Sequence, residues 1–194
     1  MAPKRFNIRD IVAVGLMAAL AFSATYINIP IPTPIGKTMI HMGNVVCLLS
    51  ALLFGSLKGG LSAGIGSMVF DLFDPIYITQ FWVTFINKFL MAFVTGIIYH
   101  GNKKDTEPRV SRAAVAAVSG ALTYVILYIG KEIVGNYIIL GLEWGTVWAG
   151  LLIKMPTSLI NAVIAAAGSV LLNTAARPAL KSAGLKLYDS ARAE

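Results

Sequence analysis

Three lysines and one glutamate stand where lipid would penalise them. Lys88, Lys131, Glu132 and Lys154 each interrupt a long apolar run. A charged side chain inside a bilayer costs on the order of several kcal/mol, so such groups turn toward one another, a cavity or a ligand. Their neighbours recur at helical spacing. Tyr124, Tyr128 and Lys131 fall at i, i+4 and i+7, and Lys154, Ser158 and Asn161 repeat that spacing. Gln80, Thr84, Asn87 and Lys88 make a third polar stripe. Tyr77, Trp82, Trp144 and Trp148 stand near the same ends of these runs. This set is suited to capture: ammonium and amide donors meet a ligand's acceptors, aromatic rings stack, and Glu132 neutralises one lysine. Other duties remain open for individual members. The aromatics also fit an interfacial belt, Lys88 and Lys154 can snorkel, Lys131 and Glu132 can pair locally, and Asn161 can bond between helices.

Catalysis finds little to work with. The sequence holds no HExxH, no phosphate-binding Walker loop, no paired carboxylates on facing helices and no Ser–His pairing at a shared depth. His41 and His100 lack metal-ligand spacing, and the single cysteine, Cys47, lies in an apolar run. No catalytic residues, metal or cofactor are expected, and the chain has no ATP site with which to drive uptake itself.

The elements that must position these groups are membrane helices. Of 194 residues, 57% are hydrophobic and 13% charged, with mean hydropathy +0.74. A span takes roughly 20 apolar residues, so the chain holds about six. The apolar runs are 11–29, 45–57, 61–73, 77–99, 113–140 and 146–176, the second and third being short. The expectation is an all-α integral membrane protein of six transmembrane helices, two of them short, forming one membrane domain over 1–194. Residues 1–10 are its N-terminus, 11–176 the bundle and 177–194 a basic amphipathic tail at the membrane surface. Lys58-Gly-Gly60 is read as the break between the short helices. Pro30, Pro32 and Pro34 end the first helix, so 30–44 reads as an ordered outer loop without helix.

Six spans put both termini on one side. With that side as cytoplasm, Lys4, Arg5, Arg9, Lys58, Lys103, Lys104, Arg109, Arg112, Arg177, Lys181, Lys186 and Arg192 fall inside and Lys37 alone falls in an outer loop. That partition follows the positive-inside rule. The net charge of +7 therefore reflects topology, and no nucleic-acid partner is expected. Counting from the outer helix ends at 1.5 Å per residue puts Lys88 about 16 Å deep, Lys131 and Glu132 about 13 Å, and Lys154 about 12 Å. All four converge on the outer half.

Small residues mark other faces. Gly15, Ala19 and Ser23 on the first helix, and Gly59, Ala63 and Ser67 on the third, are spaced for close helix approach. The first set suits docking of another subunit; internal packing is the simpler account of the second.

Three segments together resemble the substrate-binding S components of energy-coupling factor (ECF) transporters. They are 15–24, Gly-Leu-Met-Ala-Ala-Leu-Ala-Phe-Ser-Ala; the loop 31–36, Ile-Pro-Thr-Pro-Ile-Gly, leading into 40–44, Ile-His-Met-Gly-Asn; and 53–67 with Asp71 after it. The resemblance covers nearly the whole chain and is nearest the riboflavin-transporter-like branch that includes proposed hydroxymethylpyrimidine and pyridoxine carriers. It implies a vitamin site near the outer face, built by the last three helices and the loop after the first. The expected ligand-binding residues are His41, Asn87, Lys88, Tyr124, Tyr128, Lys131, Glu132, Trp148, Lys154 and Asn161. It also implies a transmembrane coupling subunit and two ATP-binding cassette ATPases as partners, with Gly15, Ala19 and Ser23 as candidates for the docking face. The expected location is a bacterial plasma membrane. Hydroxymethylpyrimidine or pyridoxine is the first substrate expected, and pantothenate the second. The competing reading is a stand-alone secondary transporter or channel, although no internal repeat joins the two halves.

Overall fold

A computed structural model describes residues 7–101, 110–184 and Leu187. Lys4, Arg5, Lys103, Lys104, Arg109, Lys186 and Arg192 of the charge partition lie outside the described residues.

Among the described residues the chain forms six α-helices. Helix α1, Ile8–Thr25, starts at Asn7, whose side chain caps the first turn while Asp10 bonds back to the Asn7 backbone. Helices α2, Gly43–Phe54, and α3, Ser56–Leu72, are the short pair, 12 and 17 residues long. A 3-10 turn, Ile78–Gln80, leads into α4, Phe81–His100. Helix α5, Val110–Ile133, continues through a π-helical turn, Val134–Ile139, and α6 runs Trp144–Ser182. The stretches 8–25, 78–100, 110–139 and 144–182 are long and apolar enough to cross a membrane.

Two boundaries differ from the sequence reading. The break between the short helices falls at Gly55, where φ is +87°, a conformation that only glycine adopts without strain. Lys58-Gly-Gly60 instead lies within the first turns of α3. Gly59 is glycine for another reason: a Cβ there would sit 2.4 Å from the Ala51 Cα, so its absence lets α3 close on α2. At the other end, α6 does not stop near Arg177. It runs through Pro156 and Pro178 for 39 residues, roughly 58 Å at 1.5 Å per residue, against a hydrocarbon core of ~30 Å.

The loop after α1 is ordered, as expected, but as a β-hairpin. Strand β1, Asn28–Pro32, pairs antiparallel with β2, Lys37–His41, with Asn28 opposite His41 and Pro32 opposite Lys37. Lys37 Nζ meets Asp74 Oδ2 at 2.7 Å, and the Tyr77 hydroxyl donates to the Lys37 carbonyl at 3.0 Å, tying the hairpin to the α3–α4 connection. Burial works against the Asp74 charge, but the Lys37 ammonium and the Ile76 and Tyr77 amides hold its pKa below the ordinary value. At the opposite end of the bundle Lys58 Nζ meets Asp10 Oδ1 at 2.5 Å, joining the starts of α3 and α1.

The core is built from small and flexible side chains: Cys47, Leu48, Ala51, Ala63, Met91, Ala92, Ala117 and Ala121 are buried together. Small side chains let helices approach where lipid offers no hydrophobic drive to association. Ile11, Val12, Leu16, Ile126, Val163 and Leu171 are exposed, the surface expected of a protein solvated by lipid.

Candidate functional site

At the hairpin end of the bundle, β2, α3, α4, α5 and α6 surround an open cavity. Strand β2 supplies Thr38, Met39 and His41; α3 supplies Ser67 and Asp71; α4 supplies Thr84, Asn87 and Lys88. Helix α5 adds Tyr124, Tyr128 and Lys131, and α6 adds Ser158 and Asn161. Tyr77 closes one side from the loop before α4. The polar stripes read on the last three helices do meet, and the hairpin covers them.

One α6 side chain also anchors the hairpin. Asn161 Oδ1 accepts from the His41 backbone N–H at 3.0 Å, and its Nδ2 donates to the Met39 carbonyl at 2.7 Å. Both are the bonds a neighbouring strand would make, so one carboxamide stands in for a third strand. The Tyr128 hydroxyl donates to Thr38 Oγ1 at 3.3 Å, a second tie from α5.

Charge in the site is distributed unevenly. Lys154 Nζ lies 2.5 Å from Glu132 Oε2, and Lys131 Nζ lies 2.9 Å from Glu132 Oε1. Asn136, on the π-helical turn, also donates to Glu132 Oε2, at 3.0 Å. Lys131 reaches across the mouth to Gln80 Oε1 at 2.6 Å and lies over the Tyr128 ring. Lys88 is different. It donates to Asn44 Oδ1 and sits 3.9 Å from the centre of the Tyr124 ring, with no carboxylate in ion-pair contact among the described residues. Tyr124 and Tyr128 stack, their centroids 5.9 Å apart and their planes 24° apart.

Two buried polar atoms in the wall, His41 Nδ1 and Ser158 Oγ, have no hydrogen-bond partner among the described residues. Burial, with the Lys88 charge second, holds the His41 imidazole well below its ordinary 6.5, so the neutral ring offers one donor and one acceptor. Buried polar groups are almost always satisfied. Unsatisfied ones in a cavity wall mark places for a ligand or water. Among the described residues no group of three or more His, Cys, Asp or Glu side chains is arranged to hold a metal ion.

Comparison with known proteins gives this architecture a family. The family described as "ECF-type riboflavin transporter, S component" matches residues 5–177. The chain belongs to that family. A "UPF0397 protein" of Streptococcus gordonii is 27% identical over 187 residues, covering 93% of this chain and 95% of that one. A "UPF0397 protein" of Streptococcus pneumoniae is 33% identical over 93 residues, about half of each chain. The protein is thus a membrane transport subunit and not an enzyme. Its partners are ECF transporter components and a small-molecule substrate.

Of the ten side chains expected at the site of this S component, seven line the cavity: His41, Asn87, Lys88, Tyr124, Tyr128, Lys131 and Asn161. Glu132 and Lys154 stand behind the wall, paired with each other. Trp148 faces outward, 47% exposed and stacked on Trp144 with centroids 6.2 Å apart, so it belongs to the outer surface of the bundle and not to the cavity. Ser158 and Thr84, members of the polar stripes, also line the cavity, as does Asp71, although none is among the ten. Asp71 carried a signal, an acidic residue at the end of an apolar helix. Asn44, the anchor of Lys88, lies in the segment 40–44 that carries part of the family resemblance.

The small-residue faces of this S component divide cleanly. On α1, Ala18 and Ala21 are buried, and a Cβ at Gly66 of α3 would meet the Ala18 carbonyl at 2.3 Å, so these residues make the internal contact. Gly15, Ala19 and Ser23 lie on the exposed side, and a Cβ at Gly15 would meet nothing within 4 Å. On α3, Gly59, Ala63 and Ser67 are all buried, as internal packing requires.

Proposed function

We propose that this S component, a single membrane domain in a bacterial plasma membrane, captures a small vitamin or vitamin precursor in the cavity beneath the hairpin. His41, Asn87, Lys88, Tyr124, Tyr128, Lys131 and Ser158 contact the ligand, while Asn161, Glu132 and Lys154 hold that wall in place. The carrying observation is the pair of unpartnered buried atoms, His41 Nδ1 and Ser158 Oγ, in a cavity that also holds Lys88 without an ion pair.

The charge distribution bears on the substrate. Glu132 answers two of the three lysines, and Asp71 adds a negative group to the lining. That leaves a weak preference for anions. Stacked tyrosines and mixed donors and acceptors suit a neutral nitrogen heterocycle, so hydroxymethylpyrimidine or pyridoxine comes first and pantothenate second. The cavity mouth and hairpin face outside and both termini lie in the cytoplasm, the orientation that the basic residues favour. Delivery proceeds through a transmembrane coupling subunit and two ABC ATPases, docked on the exposed Gly15, Ala19 and Ser23 face of α1.

Calorimetric titration of the purified protein with each of the three compounds tests this reading. Binding of either heterocycle at least tenfold tighter than pantothenate is the expected result, tenfold being about 1.4 kcal/mol. Tighter binding of pantothenate would reverse the order.

A further inference from the structure

Asp71 is a buried carboxylate that lines the cavity and makes no ion pair within 4.0 Å among the described residues. Thr84 lines the cavity with it. Lys88, also buried and also in the lining, meets Asn44 and the Tyr124 ring and likewise no carboxylate. Opposite charges buried in one cavity ordinarily close on each other, because each left unpaired carries a desolvation cost. Here the fold keeps them from closing. Lys88 is held by Asn44 from α2 and by Tyr124 from α5, while Asp71 sits at the last turn of α3 beside α4.

We infer that Asp71 is a specificity-determining residue that accepts an N–H donor on the ligand while Lys88 donates to an acceptor on the same molecule. The inference rests on the cavity being the capture site. It narrows the ligand to a planar ring with an amino or ring N–H edge on one side and an acceptor on the other. A carboxylate discriminates strongly here, because a ligand lacking the donor leaves a buried charge without a partner, which costs more than the lost bond. Asn161 is not available for this reading, since its carboxamide is engaged by the hairpin.

The test uses the full chain in lipid nanodiscs and two probes, 4-amino-5-hydroxymethyl-2-methylpyrimidine and the same molecule without its amino group. Wild type is expected to bind the amino compound at least tenfold tighter. Asp71→Asn is expected to lose that preference, mainly by weakening the amino compound, while its unchanged affinity for the other probe shows that it is folded. Equal binding of the two probes by wild type overturns the role of Asp71, whatever the variant does, and leaves capture in this cavity standing. A preference that survives in Asp71→Asn overturns it as well. Binding of neither probe also overturns it. Capture in the cavity is then decided separately, by whether a molecule that copurifies with wild type is lost in Lys88→Met.

Discussion

Lys154 Nζ lies 2.5 Å from Glu132 Oε2, with both side chains buried behind the cavity wall. This contact joins α6 to the C-terminal end of α5, and Asn136 extends it into the π-helical turn. Breaking a buried ion pair from one side leaves an uncompensated charge, which costs about 3 kcal/mol at the lower end of the usual range. Lys131 still reaches Glu132, so that lower end applies. Lys154→Met is therefore expected to lower the thermal unfolding midpoint in detergent, and Glu132→Gln added to it to recover much of the loss. Unchanged stability with ligand affinity abolished would place Lys154 in the cavity after all.

The α1 face predicts a separation of binding from transport. Ala19 is exposed and Ala18 buried. Ala19→Trp should keep ligand affinity within about twofold, as expected for a surface change away from the core, and should abolish uptake by cells carrying the whole transporter. Ala18→Trp should fail to fold, because Ala18 meets Gly66 across the α1–α3 contact. If Ala19→Trp lost binding and folding together, the exposed face would be internal packing.

His41 gives a pH dependence of definite sign. Its folded pKa is lowered well below 6.5, while in the unfolded chain it titrates near 6.5. Below about pH 6.5 the unfolded state therefore takes up a proton that the folded state refuses, and stability falls by at most about 1.4 kcal/mol per pH unit. The fall ends once the folded imidazole itself titrates. His41→Gln should show a smaller drop in unfolding midpoint between neutral pH and about pH 5.5. The same drop in both proteins would mean that other groups carry it.

Orientation is testable with single cysteines, since Cys47 is the only native one and is buried. Gly101, at the end of α4, and Glu143, before α6, are both exposed and lie at opposite ends of the bundle. A cysteine at Glu143 should react with an impermeant thiol reagent added to intact cells, and one at Gly101 should react only after lysis. The reverse pattern would invert the topology.

Helix number, the short pair and the meeting of three polar stripes were legible in the sequence because each depends on spacing along one chain. That Lys88, Lys131 and Lys154 stand on three different helices followed from spacing too. Which way each side chain turns did not. Lys154 and Ser158 share a face of α6, yet Lys154 points to Glu132 and Ser158 to the cavity, and only the placement of α5 decides that. The loop reading rests on Pro30, Pro32 and Pro34 ending the helix, which leaves open what the chain does next. They do not forbid a two-stranded ribbon, whose outer edges need no partner. The polar interruption Lys58-Gly-Gly60 marks the break in the sequence, whereas the chain turns at Gly55. A glycine that admits close packing and a glycine that admits positive φ are the same letter.

A small molecule held in the cavity between the hairpin and the last three helices should travel with the protein as bound mass. Native mass spectrometry tests it most directly. Wild-type protein released from membranes after exposure to a small-molecule extract of complete medium is expected to carry one bound molecule per chain. Lys88→Met, which removes a lining ammonium that meets no carboxylate among the described residues, and Ser158→Leu, which fills the space beside Ser158, are each expected to abolish that adduct while Lys58→Met retains it. An adduct of equal intensity in wild type and in both cavity variants, or no adduct in wild type, would contradict the account.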